Sequence, residues 1–505
     1  YEIEYNNSKF TRKLVGVMGE FKYEEVLKET LEAFFGLEII FKKSNKIILQ
    51  SKLERRLKEL TKYNLKKLMN IAQGIVNDLN IRTERILFVD IIEEIIYTYI
   101  NRNILDVNMS KQKHFFDELK RLSGETYEGN DSSINILLFN KEKNIEKDLE
   151  NLNLELIRGN KLELEDIFNS KLTLKLLDGK NNILIMDNKL KIIGIAKNKK
   201  RNTVIKSQLS KNLKEIDNSL LKYFFYLYIN SLIKDDDKIK MEIEELNWVV
   251  EEDDIKEIFE AEEEILELDI KNSYKQYQKL IGDFILIEIE NGVFNLYLNN
   301  SLDNYLSFSN SHWKYKSFYL FKFLIIERLY KERLIKYVDS NLQKHEYMEK
   351  VIDNINVISE ILKNLIIVKK GALILILKED IVDFEENIDM ECIEKKLSKS
   401  FLLSKFSFES DIYKKIVLEE EKSLKVTDIH SNFLDLLLTI DGAVILDSSF
   451  NLLTFGELIK LDSEGTDFGA RTNAAISASS YAIAIKISED GEVTMYDDRK
   501  VVIKI

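Results

Sequence analysis

Two runs of alternating apolar residues, Phe284-Ile285-Leu286-Ile287-Glu288-Ile289 and Val293-Phe294-Asn295-Leu296-Tyr297, are separated by Glu290-Asn291-Gly292. Asn-Gly between two such runs is the strongest short-range signal for a β-hairpin, because the tight turn needs residues that accept positive φ. A hairpin this apolar requires a sheet to join. Ile134-Asn135-Ile136-Leu137-Leu138-Phe139 reads as another strand, and the run from Leu172 onward as two or three more. Elsewhere the period lengthens. Residues 21–80 read as amphipathic helix, with Leu53, Leu57, Leu60, Leu65, Leu68 and Ile71 mostly three or four apart, and Ile86 to Ile100 as a strand leading into a helix. Tyr315 to Tyr337 reads as a helix whose Tyr315, Phe318, Tyr319, Phe321 and Phe323 belong to a core or a subunit contact. Strands interleaved with helices place the chain in the α/β class.

At 505 residues the chain has room for roughly three to four domains. Four regions are expected: an α-rich region 1–130, an α/β region 131–234, an acidic linker with a hairpin and helix at 235–345, and a C-terminal domain at 346–505. The linker assignment rests on the acidic block from Asp235 to Glu264, which ends Glu260-Ala261-Glu262-Glu263-Glu264. The absence of proline, where ordinary usage would give roughly 25, makes motif order firmer than loop length.

A net charge of −13 makes nucleic acid or an anionic membrane a poor partner. The one basic stretch, from Lys197 to Lys214, has no interleaved aromatic residue for base stacking and reads as a solvated face. With 45% apolar and 32% charged residues the composition is that of a soluble globular protein. The most apolar segment, Ser317 to Leu329, is broken by Lys322, Glu327 and Arg328, so no membrane span is expected, and no signal peptide is read. A single cysteine, Cys392, excludes an internal disulfide and fits a reducing, cytoplasmic compartment. His114, His312, His345 and His430 lack zinc-ligand spacing. The Walker phosphate loop and the Gly-x-Ser-x-Gly nucleophile elbow are both absent.

The chemistry concentrates near the end. Asp441-Gly442-Ala443 opens an apolar run to Leu446, and Gly469-Ala470-Arg471-Thr472-Asn473-Ala474-Ala475 opens a small-residue helix. A carboxylate beside a glycine can hold a divalent metal, while a glycine and an arginine at a helix N-terminus offer a phosphate close approach and fixed positive potential. The same residues also allow plainer readings. Asp441 with Gly442 could cap a turn, Arg471 could be a surface residue, and Glu489-Asp490-Gly491-Glu492 is itself a hairpin-turn signal.

Four blocks in order carry a resemblance. They are a helical segment at Tyr347 to Leu365 leading into the strand Gly371 to Ile376, the strand Asp441 to Leu446, Gly469 to Arg471, and a closing strand ending Ser488-Glu489-Asp490-Gly491. Together they resemble the diadenylate cyclase family, which condenses two ATP into cyclic di-AMP. The resemblance implies a mixed sheet flanked by helices over 346–505. It also implies Asp441 and Arg471 as catalytic residues, and Gly442, Ala443, Gly469, Ala470, Thr472 and Asn473 around an adenine nucleotide. Mg²⁺ or Mn²⁺ would sit on Asp441 with Glu489 or Asp490, within a face-to-face homo-oligomer.

The family's Gly-Thr-Arg-His-Arg motif is altered: Ala470, Thr472 and Asn473 replace its Thr, His and second Arg, and Ile440 stands where a His usually precedes Asp-Gly-Ala. Thr and Asn can hydrogen-bond a phosphate but not neutralise it. Each lost group would cost roughly a hundredfold in rate if it acts as in the family. A nucleotide-binding sensor or regulator is therefore expected ahead of an active cyclase, with a structural protein carrying a vestigial domain as the third reading. A faint echo of Ile440-Asp441-Gly442-Ala443 lies at Leu177-Asp178-Gly179-Lys180, as if a second, degenerate unit preceded the first.

Overall fold

The structure, a computed structural model, describes residues 20–43, 47–51, 64–81, 88–124, 126–127, 130–131, 134–139, 145–159, 181–199, 284–290, 292–298, 301–336, 341–378, 424–429, 431–461 and 468–505, with scattered positions between 167 and 222 and residue 402. The chain divides into two compact units, one of Tyr1–Tyr228 with Glu267–Ser317 and one of Ile229–Leu266 with Phe318–Ile505. The acidic block at 235–264, Cys392, His430 and the Asp178-Gly179-Lys180 echo lie outside the described residues.

The N-terminal unit opens with helix α1 (Glu20–Phe35), hairpin β1 (Ile39–Lys43) and β2 (Ile47–Ser51), then helices α2 (Asn64–Ile81), α3 (Phe88–Asn103) and α4 (Met109–Ser123). The continuous helix expected over 21–80 is thus interrupted by a hairpin. Ile39, Ile40, Ile47 and Ile48 are β-branched residues that favour the pleated conformation over helix. The segment from 88 is helical throughout, with Ile91, Ile92, Ile95, Ile96, Tyr99 and Ile100 on its buried face. Asn108 caps α4 by accepting a hydrogen bond from Lys111 N at 2.8 Å.

After the short pair β3 (Thr126–Tyr127) and β4 (Asn130–Asp131) come β5 (Ile134–Phe139), α5 (Ile145–Asn151), β6 (Leu154–Arg158), β7 (Asn182–Met186), β8 (Ile192–Asn198), β9 (Phe284–Glu290), β10 (Val293–Tyr297), β11 (Asn304–Ser309) and β12 (His312–Ser317). They build a mixed sheet in the order β12-β11-β10-β9-β5-β7-β8-β6. The Asn-Gly hairpin is present as β9 and β10, with Glu290 paired to Val293 and Gly292 at φ 76°. Tyr315 falls in β12, ahead of the helix expected to contain it. Of the basic stretch, Lys197 and Lys199 pair with Glu155 at 3.4 Å and Glu150 at 3.2 Å, as on a solvated face.

The C-terminal unit contains α6 (Phe318–Lys336), α7 (Asn341–Ile367), β13 (Ala372–Leu377), β14 (Leu424–Lys425), α8 (Ser431–Leu438), β15 (Ala443–Leu446), β16 (Asn451–Glu457), α9 (Ala470–Ala478), β17 (Ala482–Ile487), β18 (Val493–Asp497) and β19 (Lys500–Lys504). Its sheet runs β14-β16-β15-β13-β17-β18-β19. Every residue of β13 is buried, which is why its sequence is an unbroken apolar run and not an alternating one. Helix α9 lays Ala475 and Ala478 on a core of Leu373, Leu375, Ala443, Ala482 and Ala484. Small side chains on both sides allow the helix to approach the sheet closely. This is the mixed sheet flanked by helices expected at 346–505, and the chain as a whole is α/β. Among the described residues no helix is long and apolar enough to cross a membrane.

Seven of the eight strands of the first sheet repeat the arrangement of the second, and β12 is the extra one. Read from its β6 edge, the order β6-β8-β7-β5-β9-β10-β11 corresponds to β14-β16-β15-β13-β17-β18-β19, with a parallel central pair and antiparallel neighbours in both. The central antiparallel pair runs Ile134↔Ile289 to Phe139↔Phe284 in one unit and Ala372↔Ile487 to Leu377↔Ala482 in the other. The parallel pair starts Ile136↔Leu184 in one and Ile374↔Val444 in the other, each the third residue of its central strand.

The turn after that parallel strand is also repeated. Asp187 Oδ1 accepts from Lys189 N at 2.9 Å and Lys191 N at 2.8 Å, and Asp447 Oδ1 accepts from Ser449 N at 2.9 Å and Asn451 N at 2.8 Å. A buried apolar residue takes positive φ in each, Leu190 at 59° and Phe450 at 63°. The echo read in the sequence therefore has a structural counterpart, although register shifts it. Three residues before Leu184 and Val444 stand Asn181 and Asp441, so the N-terminal unit has an amide where the C-terminal unit has a carboxylate.

Candidate functional site

Strand register gathers the sequence blocks. Val444 pairs with Ile374 in parallel, so Asp441 and Gly371, each three residues upstream, lie at the same end of adjacent strands. Ile487 pairs with Ala372 in antiparallel fashion, which brings the turn after β17, with Glu489 and Asp490, to that end as well. Asp441 and the β17 end are thus two strand spacings apart, about 10 Å, with Gly371 between them.

Arg471 lies over this middle strand. A Cβ on Gly371 would sit 2.1 Å from Arg471 Nη1 and 2.9 Å from Cζ, so the guanidinium occupies the space that glycine leaves. Sequence reading identified Arg471 and missed what seats it. The available signal was a glycine directly ahead of a fully apolar strand, a position where another group approaches the backbone. Among the described residues neither Arg471 nor Asp441 forms an ion pair or a side-chain hydrogen bond. Asp441 is exposed and Arg471 half-buried.

Gly469 is the N-cap of α9 at φ −63° and ψ 156°, and its carbonyl accepts from Thr472 N at 3.0 Å and Asn473 N at 3.1 Å. No side chain caps the helix. A Cβ on Gly469 would meet nothing within 4 Å, so the protein's own packing does not demand glycine there. The exposed end of α9 leaves first-turn N–H groups for an anion. Asn473 turns back, Nδ2 donating to Phe468 O at 2.9 Å.

Other expected residues have duties within the fold. Gly442 stands at φ 111°, and a Cβ there would fall 2.5 Å from Gly456 C and 2.8 Å from Glu457 N. Glycine is thus required by the crossing of β16. Ala443 is wholly buried in the core and Ala470 is exposed on the first turn of α9. Asp490 Oδ1 accepts from Ser488 Oγ, within a turn closed by Ser488 N to Glu492 O at 2.9 Å, whereas Glu489 is exposed. Glu457, a residue not singled out from sequence, is buried beside Gly442 and accepts from Thr454 Oγ1 at 2.7 Å.

At the opposite end of β13, Lys378 binds Asp497 at 2.8 Å and Asp498 at 2.9 Å, and Arg328 of α6 binds Asp497 at 2.8 Å. The Lys378 hydrogen bond holds the Asp498 carboxyl below its ordinary range.

No family model and no curated protein matches the chain. Among solved structures, a double mutant of DacA from Staphylococcus aureus is 17% identical, over 30% of this chain and 86% of that one, with a TM-score of 0.19. A hypothetical membrane-spanning protein from Bacillus cereus is 17% identical, over 37% of this chain and 93% of that one, also with a TM-score of 0.19. Likeness at that level leaves the functional assignment to the residues themselves.

Proposed function

We propose that the C-terminal unit binds an adenine nucleotide, ATP or a cyclic dinucleotide, together with Mg²⁺ or Mn²⁺, and serves as a sensor or regulatory module. The observation that carries this reading is the Arg471 guanidinium resting on Gly371, between Asp441 on one side and the β17 turn on the other, at the open N-terminus of α9. A phosphate there meets one delocalised cation and backbone N–H groups. Adenine as the base comes from the family resemblance alone.

The metal fits as a nucleotide-borne ion. No group of three or more His, Cys, Asp or Glu among the described residues could cage one. Mg²⁺ needs only one or two carboxylates when phosphates and water complete its octahedron. Asp441 is exposed and without an ion-pair partner, so it can supply one ligand. Glu489 is better placed than Asp490 to supply another, because the Asp490 carboxylate is taken up by its own turn. When bound, the ion would neutralise phosphate charge.

Sensing is favoured over synthesis because Thr472 and Asn473 bring no positive charge and Asn473 is committed to Phe468 O. A homo-oligomer agrees with the exposed Leu436, Ile440, Leu458 and Phe468, which neighbour site residues in the chain. The test is calorimetric titration of ATP and cyclic di-AMP with Mn²⁺ or Mg²⁺, chromatography of the products, and Asp441→Asn as control. Metal-dependent binding without turnover supports the reading. Cyclic di-AMP production lost in Asp441→Asn would replace it with a working cyclase, and no binding at all would leave a structural role.

A further inference from the structure

Each unit has its own sheet of this arrangement, and the two sheets finish one edge differently. In the C-terminal unit β14 lies along the start of β16, pairing Leu424 with Leu452 and Lys425 with Asn451. Leu452 and Leu453 are buried, and Asn451 Nδ2 donates to Asp447 Oδ2 at 2.9 Å. The residues at the same place after the repeated turn of the N-terminal unit are Lys191, Ile192 and Ile193. There β6 pairs with β8 only from Gly194 onward, ending at Arg158↔Gly194. A Cβ on Gly194 would lie 2.2 Å from Ile157 O, so the two strands close tightly at that point, and Gly159 N still donates to Ile193 O at 3.4 Å. Among the described residues, the edge that β14 covers in one unit is left open along Lys191 and Ile192 in the other, with Lys191 exposed and Ile192 and Ile193 half-buried.

The opening is a cleft of about 780 Å³ between this edge and α5, within the range of roughly 300–1,000 Å³ usual for small-molecule sites. Its apolar wall is Ile145, Leu156, Ile192 and Ile193, and Lys147, Arg158 and Lys191 supply positive charge. Two carboxylates also line it. Asp187 is committed to its turn by the N–H groups of Lys189 and Lys191. Glu146 accepts from Arg158 Nη2 at 2.7 Å, in a pair more than two-thirds exposed on both sides and readily exchanged for another anion. Lys147 and Lys191 form no ion pair or side-chain hydrogen bond among the described residues, which leaves two uncommitted cations beside an apolar wall.

We propose that this cleft binds a small amphipathic anion, its phosphate or carboxylate head among Lys147, Arg158 and Lys191 and its hydrocarbon part against Ile145, Leu156, Ile192 and Ile193. The site is independent of the nucleotide reading and gives the N-terminal unit a ligand of its own.

The test titrates the full chain calorimetrically with hexyl phosphate and hexanoate, with inorganic phosphate and hexanol as the two halves of the ligand. One site per chain is expected for at least one anion, bound roughly tenfold or more tightly than either half. Lys147→Ala and Lys191→Ala should each raise Kd by about tenfold, while Asp441→Asn leaves it unchanged. Both lysines are exposed, so these variants keep the fold, as unchanged thermal melts will verify. Preference for phosphate over carboxylate, or the reverse, identifies the head group. The proposal is overturned if neither anion saturates, if binding equals that of inorganic phosphate alone, or if both lysine variants bind as the parent does.

Discussion

Gly371→Ala puts a methyl group where the Arg471 guanidinium now lies. The added Cβ would be 2.1 Å from Nη1 and 2.9 Å from Cζ, both on the far end of a flexible side chain, and 3.3 Å from Ile487 O, its nearest backbone neighbour. Arg471 can rotate away at little cost, and the Ile487 carbonyl needs to give by only a few tenths of an ångström. Gly371 lies outside the left-handed region, so alanine should also restrict the unfolded chain, worth about 0.4–1 kcal/mol in favour of folding. Net stability should stay within about 1 kcal/mol of the parent. Nucleotide affinity should fall, because a hydrogen bond from a charged donor contributes about 1.5–3 kcal/mol, or roughly 10- to 150-fold in Kd. Urea unfolding and calorimetric ATP titration measure the two quantities on one preparation. Unchanged Kd beside unchanged stability would refute the placement of Arg471 as the phosphate ligand. Lost stability would refute the claim that the side chain and the Ile487 carbonyl yield at little cost.

Gly442→Ala should behave in the opposite way, losing about 2 kcal/mol or more in urea unfolding, because its Cβ would strike the backbone of Gly456 and Glu457 at positive φ. Asp447→Ala should cost about 2–4 kcal/mol by leaving donors of a buried site without an acceptor, and Asp187→Ala should cost less in thermal melts, since Asp187 accepts the same two turn N–H groups but lacks the bond that Asn451 Nδ2 gives Asp447. Arg471→Lys should weaken ATP more than tenfold in calorimetry, because an ammonium cannot reproduce the planar fork. The Asp498 carboxyl, held low by Lys378, should titrate below the ordinary aspartate range by NMR and return toward it in Lys378→Met. With a depressed folded value, its small stabilising effect is complete above the ordinary aspartate value and disappears as pH falls through the folded one.

Much of the architecture was legible because it depends on local pattern. The Asn291-Gly292 hairpin, the strand after Gly371 and the helix ahead of it follow from period and turn chemistry, which neighbours in sequence decide. The hairpin at Ile39–Ser51 was missed within a helical pattern, because leucine spacing on both sides outweighed two short β-branched runs. Of the candidate site, the residue types Asp441 and Arg471 were readable. Their common edge was not, since it comes from the pairings of Ile374 with Val444 and Ala372 with Ile487, contacts between segments far apart in the chain.

The sequence by itself determined an α/β chain with a carboxylate–glycine strand start and an arginine at the head of a small-residue helix. Tertiary structure alone decided what each glycine is for: Gly371 makes room for a guanidinium, Gly442 for a crossing backbone, and Gly469 for nothing in the protein itself. It also decided that the chain repeats one seven-strand arrangement. Backbone hydrogen-bond register and buried turn geometry can persist while side chains diverge, so Asn181 can stand where its counterpart is Asp441, and β14 can cover one edge where no described strand covers the matching one.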